Sequence, residues 1–533
     1  MEHNSKSNTE ARKIFDAENI TKYFKDQQPP TDLTKPFVDD FFPPNKQSLL
    51  GLNYNSQPID KEAYDQYIEE INVENIYWKR ASDIFPEFLL FEGKIEANDI
   101  KQGNLGNCYF LSALAALTEF PNLIFKIFKT KEVSEIGLYE IAMFIDGEWQ
   151  IVIVDDFIPM SKQTDECAFA KPNINEIWVI ILEKAWAKVN SGYLNTIGGY
   201  ASEPLSVLTG FSKRRIDTDE LDLEALWQQV KEADANNNIM CCATRNDQGC
   251  AERNLVALHA YTLISAKGLK QDGKEIRLFK IRNPHGSKEW NGAWCDNSPL
   301  WNDELDTYFD HKVQDEKELN DGLFFICLED FQKYFKTIYV CHTIYSSQIK
   351  THKLTYEEIY EPQVFSLYLP QDSEVCVTAN TPFWRFNRHL RNKEHPVSIL
   401  LAKVDVGKKS VTGGLQFIDG DFCSDDDPAV KKKLLKGYYL IWVYSGLDEH
   451  KSRNIDYYFL RLCANSRFVC KKENPDSEFS LMREIILAGL REQFKAEIAK
   501  DEKFGNVKNA FMQTGMAYYV KFNSQPAVTS SLK

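Results

Sequence analysis

The sequence predicts an α+β protein made of several domains, and three observations support this. With 533 residues, 43% of them apolar, the chain is long enough to bury several hydrophobic cores. Apolar residues recur at helical spacing in its first part, whereas strand-like runs dominate the middle. Beyond residue 350 short strand candidates are joined by polar turns, which is typical of an antiparallel β-sandwich.

Composition and charge exclude some classes of protein. A formal charge of -15 and a pI near 5.3 argue against nucleic-acid binding, while an excess of carboxylates is compatible with hard cations such as Ca²⁺. Residues 1–16 are too polar for a signal peptide, and no run is long enough to span a bilayer. We therefore expect a cytoplasmic protein whose twelve cysteines are reduced thiols.

These patterns divide the chain into five segments. They are a flexible N-terminal lead-in (1–34), a helical region with a hairpin (35–210), a β-rich region (211–345), the sandwich (346–475) and a helical C-terminal tail (476–533). The last prediction rests on the helical apolar pattern at 478–500.

The first large region contains two predicted helices and one hairpin. Segments 109–120 and 177–189 have the apolar spacing of buried helices. Segments 138–144 and 149–154 read as strands that flank Asp146-Gly147, a dipeptide suited to the positive φ angles of a tight hairpin turn.

Cys108 lies where a glycine-containing turn opens into the first of these helices. Asn107 is an N-cap candidate, and the positive end of the helix dipole favours a thiolate in the first turn. Gln102 could donate a hydrogen bond to an oxyanion near the sulfur. An arbitrary cysteine at such a place is more often a core residue, so Cys108 needs suitable partners to be a nucleophile.

Two residues of the β-rich region are candidate partners. His259 interrupts an apolar strand predicted over 256–265, although a lone strand histidine is more often structural. Asn283 follows a strand predicted over 276–281, and its amide oxygen could fix the histidine tautomer, as in Cys-His-Asn proteases.

The hairpin between these two strands decides whether the two residues can meet. A two-residue turn at Asp272-Gly273 would pair residue 259 with 286 and send the two side chains to opposite faces. A three-residue loop, 271–273, would pair 261 with 283 and put both on one face. A catalytic role therefore predicts the odd-numbered loop.

Several motifs together resemble the protease core of the calpain family. They are Gln-Gly-x-Leu-Gly-x-Cys at 102–108, Leu-Glu-Lys-Ala-Trp-Ala-Lys-Val at 182–189, His-Ala-Tyr at 259–261, Arg-Asn-Pro-x-Gly at 282–286 and Glu-Trp-Asn-Gly-Ala-Trp at 289–294. The likeness runs from about residue 37 to 343 and continues more weakly into the sandwich. It implies a two-lobed papain-like protease core followed by the calpain-type β-sandwich.

The resemblance also implies an activity. It is that of an intracellular, calcium-regulated cysteine endopeptidase that makes limited cuts in protein substrates. Cys108 would be the nucleophile, His259 the general base and Asn283 the orienting residue, with Gln102 in the oxyanion hole. Nothing indicates a required small subunit, and calcium-dependent contact of the sandwich with membranes or partners remains open.

The family pattern further implies one Ca²⁺ site in each lobe. Asp99 and Glu176 match acidic ligand positions in the first lobe. In the second lobe the matching acids are Glu289, Asp296 and Asp321. Leu323 stands where another glutamate is expected, so the second site should bind calcium more weakly.

The chain also departs from the family at other positions. The departures are Asn107, Tyr109, Leu258, His285 and Cys295, where the family usually has Asp, Trp, Gly, Trp and Ser. Leu258 is expected to crowd the cleft, and His285 to lose an aromatic wedge between the lobes. No segment matches an EF-hand loop.

Two alternatives stay open. One is a catalytically silent calpain-like scaffold, which the departures at 258, 285 and 323 favour. The other is a transglutaminase-like acyl transferase, which Asn283 disfavours because such enzymes normally carry aspartate as the third residue.

Overall fold

A computed structural model of the chain contains two compact units, one ending at Thr343 and one following it. It describes residues 30, 32–51, 68–69, 71–172, 175–246, 248–271, 273–311, 321–343, 348–355, 363–380, 397–404, 415–423, 428–444 and 457–472. Nearly all of the predicted lead-in (1–34) and the whole predicted tail (476–533) lie outside these residues.

The N-terminal part of the first unit is mainly helical. Its elements are α1 (Lys46–Leu50), β1 (Ile76–Arg80), α2 (Ala81–Ile84), α3 (Cys108–Thr118), α4 (Pro121–Ile127), β2 (Leu138–Ile145), β3 (Glu148–Asp155), β4 (Phe157–Ser161), α5 (Trp178–Val189) and α6 (Ser202–Thr209). The two predicted helices and the hairpin are confirmed to within a few residues. Asp146 and Gly147 form the turn with φ of 47° and 82°.

Helix α3 lies in the centre of this unit. Every residue after Cys108 in it is buried, which explains why the helix is apolar on all sides rather than along one stripe. The elements that follow α6 along the chain contact the middle of α3, since the Thr262 hydroxyl donates to the Ser112 carbonyl at 2.8 Å. The helix thus ties the two halves of the unit together.

The second part of this unit is built on a sheet. Its elements are β5 (Ser212–Asp217), α7 (Leu223–Ala235), β6 (Ile239–Thr244), α8 (Gln248–Glu252), β7 (Ala260–Gln271), β8 (Lys274–Arg282), α9 (Asp303–Phe309), β9 (Leu323–Cys327), α10 (Leu328–Tyr334) and β10 (Phe335–His342). Six antiparallel strands are ordered β5-β10-β6-β7-β8-β9. Buried aromatic residues such as Trp227, Phe279 and Phe331 fill one face.

The predicted start of β7 is wrong by four residues. The strand begins at Ala260 and not at residue 256, because Leu258 has a left-handed φ of 50° that no strand residue adopts. His259 is consequently the last residue of a loop and directly precedes the strand.

The second unit is the predicted β-sandwich. Its strands are β11 (Gln348–Thr355), β12 (Gln363–Leu369), β13 (Ser373–Asn380), β14 (Val397–Val404), β15 (Leu415–Cys423), β16 (Ala429–Leu434), β17 (Gly437–Tyr444), β18 (Tyr457–Ala464) and β19 (Val469–Lys472). They form antiparallel sheets ordered β11-β18-β13-β16 and β15-β14-β17-β12-β19. Side chains of both sheets share one apolar core.

Two further properties bear on the sequence predictions. None of the cysteines that the structure describes forms a disulfide bond. Among the described helices, none is by itself long and apolar enough to cross a membrane, and α3 with α4 meets that test only as a pair bent by 113°.

Candidate active site

The thiol of Cys108 lies at the first residue of α3, against the start of β7. Backbone N–H groups of Ala260, Tyr109 and Cys108 itself approach the sulfur and favour the thiolate. Burial outweighs them and raises the pKa of the Cys108 thiol above its ordinary value. The helix terminus thus favours the thiolate, as expected, but desolvation is the larger effect.

Asn107 occupies the N-cap position but makes no side-chain cap hydrogen bond. Its amide instead donates to Glu183 of α5 at 2.7 Å, and the Ala170 N–H donates to the other oxygen of that carboxyl group at 3.1 Å. Burial raises the pKa of Glu183 to about 7. Glu183 thus anchors the turn before Cys108, a role that its place inside an apolar helix could have indicated.

Gln102 stabilises the same turn from its other end. Its amide Nε2 donates to the Leu105 carbonyl at 2.9 Å, which leaves one N–H of that amide for another acceptor. Gly103 packs so closely on Phe169 that a Cβ would lie 1.9 Å from the Phe169 carbonyl oxygen, so only glycine fits. The turn therefore runs directly against residues 168–170.

The loop that carries His259 is pinned to the end of β6. The His259 N–H donates to the Thr244 hydroxyl and the Thr244 N–H donates to the His259 carbonyl, each at 3.0 Å. Leu258, just before it, is 69% exposed. The prediction that Leu258 crowds the cleft finds no support in its burial, since its side chain lies mostly in solvent.

His259 and Asn283 form a hydrogen bond of 3.0 Å between Nε2 and Oδ1. The Asn283 amide nitrogen donates to the carbonyls of Ser287 and Lys288, at 2.7 and 3.1 Å. Because both amide hydrogens have acceptors, the oxygen must face the imidazole and accept a hydrogen bond from the Nε2–H group. This assigns the tautomer and leaves Nδ1 of His259 as the basic nitrogen.

The strand register that allows this contact differs from the one predicted. Gln271 pairs with Lys274, so the loop between β7 and β8 has two residues and not three. The register then shifts by one between Leu263 and Ser265, where a β-bulge places Thr262 opposite Arg282. The bulge restores the alignment of residue 261 with 283 that the loop was expected to provide.

Two aromatic rings surround the His259 imidazole. His285 stacks on it with ring centroids 4.6 Å apart and planes 14° apart, and Tyr261 meets it edge-on at 5.0 Å. Burial, followed by the neighbouring His285, lowers the pKa of His259 to about 3, although the bond to Asn283 acts in the opposite direction. The imidazole is therefore neutral near pH 7.

The structure, which describes both residues, shows no hydrogen bond between the Cys108 thiol and His259. With a raised thiol pKa and a lowered imidazole pKa, both groups are uncharged here rather than a thiolate-imidazolium pair. The Cys108 sulfur thus lies beside the backbone of Ala260, the residue after His259, and the thiol and the imidazole are both in their neutral forms.

Two of the five predicted calcium ligands meet in the N-terminal part of the unit. Asp99 and Glu176 are almost fully buried, and Glu176 accepts the Glu92 N–H at 2.8 Å. Asp99 accepts the Glu96 N–H at 2.7 Å. Burial, with a smaller effect of Asp99, raises the pKa of Glu176 to about 7.

The other three predicted ligands lie together near the end of β8. Glu289 accepts the Gly322 N–H at 2.6 Å. Burial, followed by the nearby Asp296 and Asp321, raises the pKa of Glu289 to about 7. His311 approaches Asp296, with its Nε2 3.8 Å from the carboxylate oxygen.

The donor atoms at these two places are carboxylate oxygens, which suit calcium, and burial raises the pKa of one glutamate in each group, Glu176 and Glu289. Across the described ranges, however, no group of three or more His, Cys, Asp or Glu side chains is arranged to hold a metal ion. The donor chemistry agrees with the prediction, whereas a complete ligand set is not formed.

Arg282 is a residue of this region to which the sequence analysis assigned no function of its own. Its guanidinium is 7% exposed and donates to the Asn98 side-chain oxygen. Four carboxylates act on its charge, and they come from both parts of the unit: Asp321, Glu119, Asp99 and Glu289. Arg282 is thus a buried cation between the two acidic groups, next to Asn283.

The comparisons with known proteins agree with this arrangement. The sequence profile of calpain family cysteine proteases matches residues 37–342, more than half of the chain. The calpain-type cysteine protease DEK1 of Arabidopsis thaliana is 33% identical over 316 residues, which cover 58% of this chain and 14% of that protein.

Animal proteins show a similar degree of likeness. The calpain-1 catalytic subunit of Rattus norvegicus is 31% identical over 316 residues, covering 57% of this chain and 42% of that protein. Calpain-8 of the same species is 28% identical over 300 residues, covering 54% and 41%. The chain thus spans less than half the length of each of these relatives.

Proposed function

The chain belongs to the calpain family of cysteine proteases, and from this premise we propose that it hydrolyses peptide bonds through Cys108, His259 and Asn283. We also propose that calcium regulates this activity. The observation that carries the catalytic proposal is the hydrogen bond from His259 Nε2 to Asn283 Oδ1. It leaves Nδ1 as the only nitrogen of the ring that is able to accept a proton.

The first chemical step is attack by the Cys108 sulfur on the carbonyl carbon of the substrate. The thiol proton passes to Nδ1 of His259 as the C–S bond forms, and the carbonyl π electrons move to the oxygen. The backbone N–H of Cys108 and the remaining N–H of Gln102 are suited to stabilise that oxyanion. Asn283 keeps the imidazolium in place by accepting a hydrogen bond from its Nε2–H group.

The second step divides the peptide. The C–N bond breaks and His259 returns its proton to the departing amine, which leaves a thioester on Cys108. Water then attacks the thioester while His259 takes one of its protons. Collapse of this intermediate releases the acid and restores the thiol, so that atoms and charge balance over the cycle.

The raised thiol pKa and lowered imidazole pKa mean that this proton transfer is unfavourable in the described arrangement. A change that brings the imidazole into contact with the thiol, or that admits polar groups to the sulfur, is therefore needed for activity. The buried acids around Arg282 are the part of the unit best placed to regulate such a change, because Arg282 directly precedes Asn283.

We propose that Asp99 and Glu176 hold one calcium ion and that Glu289, Asp296 and Asp321 hold a second. A bound ion would supply the positive charge that now takes the form of protons on Glu176 and Glu289. Leu323 offers no side-chain ligand, so the second site should be the weaker of the two.

Protein substrates, a cytoplasmic location and contacts of the sandwich with membranes or partners belong to this proposal as well. They rest on the family resemblance and on the charge of -15. Because the chain covers 14% of the plant relative and about 40% of the animal ones, what those whole proteins do transfers to it only as a hypothesis.

The test is digestion of an unfolded protein by the full chain and by Cys108→Ala, in a chelator and in millimolar Ca²⁺, the range of weak sites. Cys341→Ala is a matched control, since Cys341 is another cysteine that forms no disulfide but lies near the end of strand β10. Calcium-dependent cleavage lost only in Cys108→Ala supports the proposal.

The other outcomes favour different functions. Cleavage that does not depend on calcium would keep the triad and reject the regulation. If no form cleaves, the chain is better explained as a silent binding module, in line with the uncharged Cys108 and His259. Incorporation of an amine into the substrate, in place of hydrolysis, would point to acyl transfer.

A further inference from the structure

The ring of His285 covers the ring of His259. The two rings lie nearly parallel, with centroids 4.6 Å apart. His259 is the inner ring at 4% exposure, whereas His285 is exposed to solvent. His285 therefore separates the proposed general base from water on that face.

The backbone of His285 is tied to the same group. Its N–H donates to the Asn283 side-chain oxygen at 3.1 Å, and this oxygen also accepts the bond from His259 at 3.0 Å. A rotation of the His259 ring would break the stack and the hydrogen bond together. The His259 ring is thus held by two contacts that involve residues 283–285.

This inference rests on the proposed function of Cys108 and His259. We propose that His285 is a positioning residue for that reaction: its neutral ring holds His259 in place, and its protonated ring opposes the charge that His259 acquires when it takes the thiol proton.

The physical reason is the repulsion of like charges. A neutral imidazole stacks on an imidazolium without penalty, but two imidazolium rings 4.6 Å apart repel each other strongly in a partly buried site. The charged or titratable groups that act on His285 are His259 beneath it and Lys288 farther along the loop. Burial, followed by Lys288, lowers the pKa of His285 below its ordinary value.

The result is a dependence on pH that an aromatic hydrocarbon ring would not give. Near neutral pH His285 is uncharged and only supports the ring beneath it. As the pH falls below neutral, its exposed ring is the first of the two to be protonated, since His259 is the more deeply buried. Formation of the thiolate-imidazolium pair then becomes less favourable.

The experiment measures alkylation of Cys108 by iodoacetamide between pH 5 and 9, with the site resolved by peptide mapping. The full chain is compared with His285→Phe and His285→Trp, which keep a stacked ring without the titrating group, and with His285→Ala, which removes the ring. Thermal unfolding of each variant verifies folding, and the second ring variant replaces the first if that one fails to fold.

We expect Cys108 of the ring variants to be alkylated as fast as that of the wild type at pH 8 and about 3- to 10-fold faster at pH 5.5. This corresponds to a shift of up to about one pH unit in the acid limb of the rate profile. His285→Ala should react more slowly than the ring variants at every pH. Superimposed profiles of the wild type and the ring variants would overturn the titration effect, and an unchanged rate in His285→Ala would overturn the positioning role.

This readout does not require peptide cleavage. If the alkylation profiles differ as expected but no peptide is cut, the proposed function fails while the role of His285 stands. If peptides are cut and the profiles coincide, the function stands and this inference fails.

Discussion

Arg282 donates a hydrogen bond to Asn98, which lies 184 residues earlier in the chain. The contact joins the end of β8, directly before Asn283, to the short turn Ala97–Asp99, and four carboxylates act on the buried guanidinium. A single cation therefore offsets acids from both parts of the protease unit, beside a residue of the proposed triad.

Replacement of Arg282 by alanine should destabilise the unit. Removal of one member of a buried charged group leaves the others without compensation, at a cost of roughly 3 kcal/mol in the free energy of unfolding. Arg214→Ala, at an exposed position of β5, should change it by less than about 0.5 kcal/mol. Urea unfolding measures both, and equal effects of the two variants would contradict the role assigned to Arg282.

The Asn283 side chain should control the His259 imidazole. Asn283→Ala removes the acceptor for Nε2, and we expect kcat/KM to fall roughly 100-fold, the lower end of the range of general acid-base catalysis. Asn283→Asp keeps an acceptor and adds a negative charge, which raises the pKa of His259 and moves the acid limb of the pH-rate profile, where the base becomes protonated, to higher pH. An acid limb that stays in place in Asn283→Asp would contradict the assigned contact.

The conformation of Leu258 should have a measurable cost. A left-handed φ costs an L-residue about 1 to 2 kcal/mol relative to glycine, and the 69% exposed side chain recovers little of this by burial. Glycine is also more flexible when unfolded, which offsets part of the gain. We therefore expect Leu258→Gly to raise the free energy of unfolding by about 1 kcal/mol, and Leu258→Val to lower it. A glycine variant less stable than the wild type would contradict this.

Glu183 should make the stability of the unit depend on pH. Its pKa is raised to about 7 in the folded chain from an ordinary 4.5, so the folded state keeps a proton that the unfolded state loses. As pH rises from about 4.5 to about 7, this group therefore destabilises the fold. The melting temperature of Glu183→Gln should rise relative to that of the wild type as the pH increases across that window, in chelator and in calcium alike. A difference in melting temperature that does not change with pH would contradict the raised pKa of Glu183.

The sequence was sufficient for the fold class and for the elements around the site. Periodicity located α3, α5 and the β2-β3 hairpin because helix and strand periods differ and the Asp146-Gly147 turn has a distinct backbone. The sequence also predicted His259 and Asn283 as partners, and the structure places them in contact.

The remaining features depend on long-range packing. No local sequence pattern predicts the bulge between Leu263 and Ser265, because the extra residue is of a type that is common in strands. The raised pKa of the Cys108 thiol follows from burial, which outweighs the N–H of Ala260, a residue far away in the chain. The environment of Arg282 likewise requires four carboxylates, three of which are far away in the chain.

The most direct test of the central claim is covalent capture of Cys108 by a peptidyl epoxide, a substrate-like electrophile, in calcium. Intact mass and peptide mapping are compared for the wild type, His259→Ala and Asn283→Ala. The account predicts one modification, at Cys108, that is fast in the wild type, slower in Asn283→Ala and slowest in His259→Ala. Equal labelling in all three, or labelling at another of the cysteines, would contradict it.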